Sequence, residues 1–271
     1  MTSRSSVPII IGYVPVQTER AGISRALPGW ARAKWTSSVT ELPAAIRRAR
    51  GAPAAVVVSV REGNAPEAAR AVREILRVAP QVAVVAYCRA GVEHARHIRM
   101  MAAAGVHEFL FVGVDDRGLA LRAVVASAQR ACAAAAVLAA VLPAIPAPLH
   151  RFAEFCVTHP ARARTVAGVA EMLGVHRKTL LNQCARAGAP APAEMIAWCR
   201  LMLAAQLLAA TGQTVEWVAL ELDYPSDTAL RNAMKRYTGR RASDVRREGG
   251  LVRVLESFAR RGGATGGFRE S

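Results

Sequence analysis

The chain has 271 residues and is 52% hydrophobic, which is enough for two domains with cores of their own and too apolar for a disordered protein. Its 36 basic residues against 20 acidic ones leave a formal charge of +16, and Lys34, Lys178 and Lys235 are the lysines among them. Such an excess points to a polyanionic partner, but it does not locate the contact: residues 1–148 carry 18 basic and 9 acidic residues, and residues 149–271 carry 18 and 11.

Residues 7–14, VPIIIGYV, open a series of short apolar runs. The others are 54–60 (AAVVVSV), 82–88 (VAVVAYC) and 107–113 (HEFLFVG), with a weaker one at 31–37. Runs of this length with few polar interruptions are what strands buried on both faces require. Between and after them the helical period predicts helices near 17–27, 41–50, 65–78, 91–104 and 116–140. Asn64 is placed to cap the third of these ahead of Pro66. Strand and helix alternate five times, so the predicted fold is an α/β domain with a doubly wound parallel five-stranded sheet over residues 1–142.

Residues 143–148, PAIPAP, read as a proline-rich linker that stops the preceding helix. Beyond it the strand runs cease, and 149–247 read as an all-α domain with two helix-turn-helix units, followed at 248–271 by a helix and a disordered tail from Gly262. In the first unit, 165–188, Thr165 caps a helix whose inward residues are Val166, Val169, Ala170 and Leu173; Gly174 supplies the turn and Val175 fills the gap. The second helix turns Leu180 and Cys184 inward and Arg177, Lys178, Leu181, Asn182 and Arg186 outward. In the second unit, 214–239, Thr214 caps, Val215, Val218, Ala219 and Leu222 face inward, and Asp223-Tyr224 holds the turn. Ser226 caps the last helix, which buries Leu230, Met234 and Tyr237 and exposes Asp227, Thr228, Arg231, Asn232, Lys235 and Arg236. Arginine, lysine and asparagine on an exposed helix face are donors that reach base edges and phosphates in a major groove.

These residues resemble the DNA-binding domain of AraC/XylS-type regulators. The resemblance covers about 100 residues. It includes the joining helix 192–213 with Arg200-Leu201 and Ala205-Gln206-Leu207-Leu208, and an ending that runs from Lys235 through Gly239 to Arg246. It implies two recognition helices, about 176–187 and 226–237, and a DNA-binding set of Arg177, Lys178, Leu181, Asn182, Asp227, Thr228, Arg231, Asn232, Lys235 and Arg240, with Arg241 a further phosphate contact. Asp223-Tyr224 stands where the family usually has Gly-Phe, and Ala242 where it has proline.

The α/β domain resembles the receiver of response regulators in topology and in AGVHEFL at 104–110. A receiver needs an aspartate at the end of its third strand, acids after the first and a lysine after the fifth. The corresponding stretches here are Val58-Ser59-Val60-Arg61, Tyr13-Val14-Pro15-Val16 and Phe111-Val112-Gly113-Val114, so a degenerate receiver without phosphorylation is expected. Asp115 and Asp116 are expected to cap the last helix. That helix offers Leu119, Val124, Val125, Ala128, Cys132 and Val137 either to the sheet or to a second copy of the chain.

Five cysteines with no CxxC pair predict buried free thiols in a reducing compartment, hence a cytoplasmic protein. The N-terminal apolar run is too short for a signal peptide, and the Ala-rich 131–142 is too short for a membrane span. Neither His94 with His97 nor Cys156 with His159 has a second pair to complete a metal site, and no phosphate-binding glycine loop or catalytic arrangement occurs. The chain therefore reads as a transcription regulator and not an enzyme, with no cofactor and no metal. Its expected partners are double-stranded DNA, RNA polymerase or another regulator, and a homodimer through the N-terminal domain. The alternative is an interaction or scaffold protein whose DNA-binding domain is vestigial, which Leu181 and Asp227 on the recognition faces favour.

Overall fold

A computed structural model describes residues 9–27, 31–49, 55–116, 118–210 and 213–263. Expectations for residues 1–8 and for the tail from Ala264 lie outside these. The chain divides into two compact units, one of Met1–Cys132 with Ala210–Gly212 and one of Ala133–Ala209 with Gln213–Ser271.

In the first unit, β1 (Ile9–Tyr13), β2 (Arg32–Trp35), β3 (Ala55–Ser59), β4 (Val84–Cys88) and β5 (Glu108–Phe111) form one sheet in the order β2-β1-β3-β4-β5. Every pairing is parallel. This is the flavodoxin- and CheY-like order of doubly wound folds. The apolar runs at β1, β3 and β4 become central strands because both faces are covered: β3 and β4 are buried at every residue. Ile11, Val56, Val58, Val84 and Ala86 pack on one face against α2 (Leu42–Arg47), α3 (Ala65–Val78) and α4 (Ala95–Ala104), through Leu42, Ile46, Val72, Ile75 and Met101. Ile10, Val57, Val85 and Tyr87, one residue out of phase, meet α1 (Gln17–Ala26) and the first half of α5 (Gly118–Val141) through Ile23, Leu27, Leu121, Val125 and Ala128.

Local details depart from the sequence reading. Residues 92–94 form a 3₁₀ turn before α4. Asn64 occupies the N-cap position of α3 but its side chain does not cap it. Its amide ties the β3–α3 loop instead, donating to the Ser59 carbonyl at 3.1 Å and accepting from the Arg61 N–H at 2.8 Å. Asp115 and Asp116 also bond elsewhere: Asp115 accepts from the Phe111 N–H at 3.1 Å and Asp116 from the Tyr87 hydroxyl at 2.8 Å.

Helix α5 is 24 residues long, continuing through the Ala-rich stretch. With the turn that follows, Gly118–Ala144 is long and apolar enough to cross a membrane by length and composition, as is Pro192–Ala210. Half of the first window and 67% of the second are buried in protein. The second half of α5 contributes Ala133, Ala134, Val137 and Val141 to the core of the helical unit, while Leu119 at its start is exposed. Pro143 and Pro148 lie in two 3₁₀ turns, Leu142–Ala144 and Ala147–Leu149, and Pro146 is the residue before the second; Ala144, Ile145 and Leu149 are buried.

The helical unit comprises α6 (His150–Thr158), α7 (Val166–Met172), α8 (Arg177–Arg186), α9 (Pro192–Ala210), α10 (Val215–Glu221), α11 (Asp227–Thr238), α12 (Ala242–Arg247) and α13 (Leu251–Phe258). One core joins them all. Helix α9, about 28 Å long at 1.5 Å per residue, is its spine: Met195, Trp198, Cys199, Leu201, Met202, Ala204, Ala205, Leu207 and Leu208 are buried around its circumference. The C-terminal helix closes the same core through Val254, Leu255 and Phe258, the last edge-on to Trp198.

Candidate nucleic-acid interface

The sequence builds two helix pairs on α9 by the same local chemistry. In the first, Thr165 Oγ1 accepts the Gly168 N–H at 3.1 Å and starts α7. Gly174 takes a left-handed φ of 67°, and the Val175 N–H bonds back to the Ala170 carbonyl at 3.0 Å. His176 then caps α8, its Nδ1 accepting the Lys178 N–H at 3.2 Å, a role that sequence reasoning did not assign. In the second, Thr214 accepts the Trp217 N–H and Ser226 the Ala229 N–H, both at 3.1 Å. Asp223 occupies the glycine's place with φ 58°, and the Tyr224 N–H bonds to the Ala219 carbonyl at 2.8 Å.

The inward residues of both pairs are in the core: Val169, Ala170, Leu173, Leu180 and Cys184 in one, Val218, Ala219, Leu222, Leu230 and Met234 in the other. Val166, Val215 and Tyr237 are half-buried against it. Cys184 and Met234 therefore fill the interior positions that the sequence assigned to them. All five cysteines are free and buried. A hydrogen bond with Cys199 and burial push the Cys156 thiol well above its ordinary range.

The outward residues stand as follows. Arg177, Lys178, Leu181 and Asn182 are exposed on α8, Leu181 at 42%. Thr228, Arg231, Asn232 and Lys235 are exposed on α11, with Asp227 half-buried at its first turn. The side chains of Arg177, Lys178, Asn182, Asn232 and Lys235 make no hydrogen bond or ion pair among the described residues. Arg231 donates to Asp227 at 3.1 Å, and that hydrogen bond holds the Asp227 carboxyl below the usual carboxylate range. Arg240 is half-buried and ion-paired with Glu248. Arg241, at the N-cap of α12, is exposed.

Arg200 belongs to the scaffold. It donates from α9 to the Leu222 and Asp223 carbonyls at 2.8 and 3.2 Å and lies over the Tyr224 ring at 4.3 Å. Burial pushes the Tyr224 phenol up to about 12. Arg164 pairs with the Asp223 carboxylate, a contact invisible in the sequence because its partners are 59 positions apart by number. Among the described residues no group of three or more His, Cys, Asp or Glu side chains is placed to hold a metal ion.

Comparison with known proteins places this geometry. Residues 169–248, from α7 through α12, match the family model of a helix-turn-helix domain, of the AraC type. No curated protein matches the chain. Among solved structures, full-length FixJ from B. japonicum is 13% identical with a TM-score of 0.40, covering 74% of this chain and 97% of that one. RcsB from Salmonella enterica serovar Typhimurium, bound to promoter rprA, is 14% identical with a TM-score of 0.35, covering 69% and 97%. A CheY-like protein (tadZ) from Pseudomonas aeruginosa PAO1 is 14% identical with a TM-score of 0.38, covering 45% and 93%. The class of the α/β unit rests on its own strand order, and that of the helical unit on its paired, capped helices.

Proposed function

We propose that this chain is a sequence-specific DNA-binding transcription regulator that reads duplex DNA with α8 and α11. The observation that carries the reading is the pair of exposed helix faces, each capped, each seated on α9, and each bearing donors with no partner of their own among the described residues. Arg177, Lys178, Asn182, Asn232 and Lys235 are the foremost contacts; Leu181, Asp227, Thr228 and Arg231 border them. Arg240 contributes to phosphate only by exchanging Glu248 for it. Arginine and lysine neutralise phosphates, so affinity falls steeply with salt.

The α/β domain, 1–142 as read from the sequence, serves docking or dimerisation without phosphorylation. Support comes from its strand ends: β3 ends in Ser59, Asp116 is engaged by Tyr87, and Glu19 is ion-paired with Arg61 at 2.6 Å. A protein of this kind works in the cytoplasm, is not an enzyme, and meets RNA polymerase or another regulator on its promoter.

The test is selection of genomic fragments by the purified chain, then a salt titration on the best of them. A shared site, with affinity lost in an Arg177→Ala/Asn232→Ala variant, is the expected result. Uniform, weak, salt-sensitive binding to every fragment would sink it and favour the second reading, an interaction protein with a vestigial DNA-binding domain. The exposed Leu181 and the acidic Asp227 are the observations on that side.

A further inference from the structure

A cleft of about 360 Å³ opens over the carboxyl ends of β3 and β4. It lies within the α/β unit and is independent of the helix-turn-helix faces. Its size falls in the range of roughly 300–1,000 Å³ typical of small-ligand sites, and open α/β sheets bind ligands outside the carboxyl ends of their strands. We infer that this cleft binds a small organic anion, with a negatively charged head on Arg61 and Arg89 and a flat apolar body against the strand ends.

The sheet register brings the two arginines together. Ser59 is paired with Tyr87, so Arg61 and Arg89 each follow two residues beyond that pair on adjacent parallel strands. Two like charges leaving the sheet side by side repel unless something negative lies between them. Glu19 answers only part of this, bonding Arg61 through Nη2 at 2.6 Å. The Arg61 Nε is buried and has no partner, and Arg89 has no hydrogen bond or ion pair among the described residues.

The opposite wall adds to the bias. His94 is the N-cap residue of α4 and His97 lies in its first turn, their rings stacked with centroids 6.3 Å apart. Both line the cleft, so the end of α4 that favours negative charge borders it. Of the carboxylates, Glu62 is in the lining and exposed to solvent, and Glu93 lies 3.5 Å from His94 outside it. Between these walls Val60, Cys88 and Val112 give the cleft an apolar lining that a bare inorganic ion leaves unused.

The experiment uses the full chain and naphthyl phosphate as probe, followed by calorimetry and by the shift in thermal unfolding that a bound ligand produces. Naphthol and inorganic phosphate are titrated in parallel. Saturable binding of naphthyl phosphate, tighter than of either half, is expected. Arg89→Glu weakens it by about tenfold or more, while Arg73→Glu, the same charge change on the exposed face of α3 away from the cleft, leaves it within about twofold. Arg89→Ala, milder at the same exposed site, gives an intermediate loss and guards against misfolding of the glutamate variant. No saturable binding, equal losses in the Arg89→Glu and Arg73→Glu variants, or naphthol or inorganic phosphate binding as tightly as naphthyl phosphate would each overturn the inference.

Discussion

The two helix-turn-helix units are built on one backbone plan and held by different means. Both turns use a left-handed residue, at φ 67° in Gly174 and 58° in Asp223, and both close with an N–H reaching back five residues to the first helix. The first turn is satisfied locally, by a residue without a Cβ. The second carries a side chain in the same conformation and is braced from outside by Arg200 on its carbonyls and Arg164 on its carboxylate. A turn can thus dispense with glycine when tertiary contacts fix its geometry. The exposed faces differ in the same sense: Arg177 and Lys178 on α8 have no partner among the described residues, whereas Arg231 on α11 is already engaged by Asp227.

The sharpest way to break this comparison is to remove the brace. Arg200→Ala deletes two charged hydrogen bonds to carbonyls and a cation–π contact, and should destabilise the chain by about 2–3 kcal/mol. Chemical denaturation measures the total, and amide exchange assigns it: protection at Tyr224 should fall well before protection at Val175. Equal loss at both turns would mean that the first is no more self-sufficient than the second.

DNA affinity tests the difference between the two faces. On a fragment recovered by selection, Arg177→Ala should cost about 1–3 kcal/mol, the usual worth of a base-reading arginine. Arg231→Ala should cost less, because Arg231 must leave Asp227 before it can bind. Asp227→Asn should tighten binding by freeing that arginine and removing a negative charge beside phosphate. Anisotropy titrations at one fixed salt concentration decide the order, and a larger loss for Arg231→Ala than for Arg177→Ala reverses the comparison.

Much of this was legible in the sequence, and what was not has a common cause. Four of the strands were readable because buried parallel strands need apolar runs, and Val56 to Ser59 or Val84 to Cys88 can hardly be anything else, whereas β2, Arg32–Trp35, lies at the sheet edge without a buried residue and gave only a weak signal. The caps Thr165, Thr214 and Ser226 and the turn at Gly174 were readable because each acts within a few residues of its own position. Arg164 with Asp223, Arg61 with Glu19 and Arg240 with Glu248 were not, since each pairing exists only once the chain is folded. Asn64, Asp115 and Asp116 had the right type and place for caps, but their side chains bond at and just beyond the strand ends, through partners that only the fold brings to them. Asp227 with Arg231 could have been found, being an i,i+4 pair of opposite charge on one helix.

A smaller effect is expected at the glycine turn. Gly174→Ala meets no neighbouring atom, so its cost is the backbone's alone, about 1 kcal/mol for an L-residue held in the left-handed region. Thermal unfolding should register it, and DNA affinity should change little, because α8 keeps its His176 cap.

The smallest effect is the most instructive. Asp223→Gly supplies the residue that the first turn uses, yet three terms nearly cancel. Relief of left-handed strain is modest, because aspartate tolerates this region better than most residues. Against it stand the ion pair with Arg164, whose side chains are 58% and 41% exposed and which is worth about 0–1 kcal/mol, and the extra freedom of glycine in the unfolded chain, about 0.4–1 kcal/mol. The net change should lie within about 0.5 kcal/mol of zero. Asp223→Val keeps the Cβ, loses the carboxylate and puts a β-branched side chain at positive φ, so it should cost clearly more. If glycine instead stabilises the chain strongly, the external brace is holding the second turn against strain that it does not relieve, and Arg200 is compensating for a poor turn residue rather than replacing a good one.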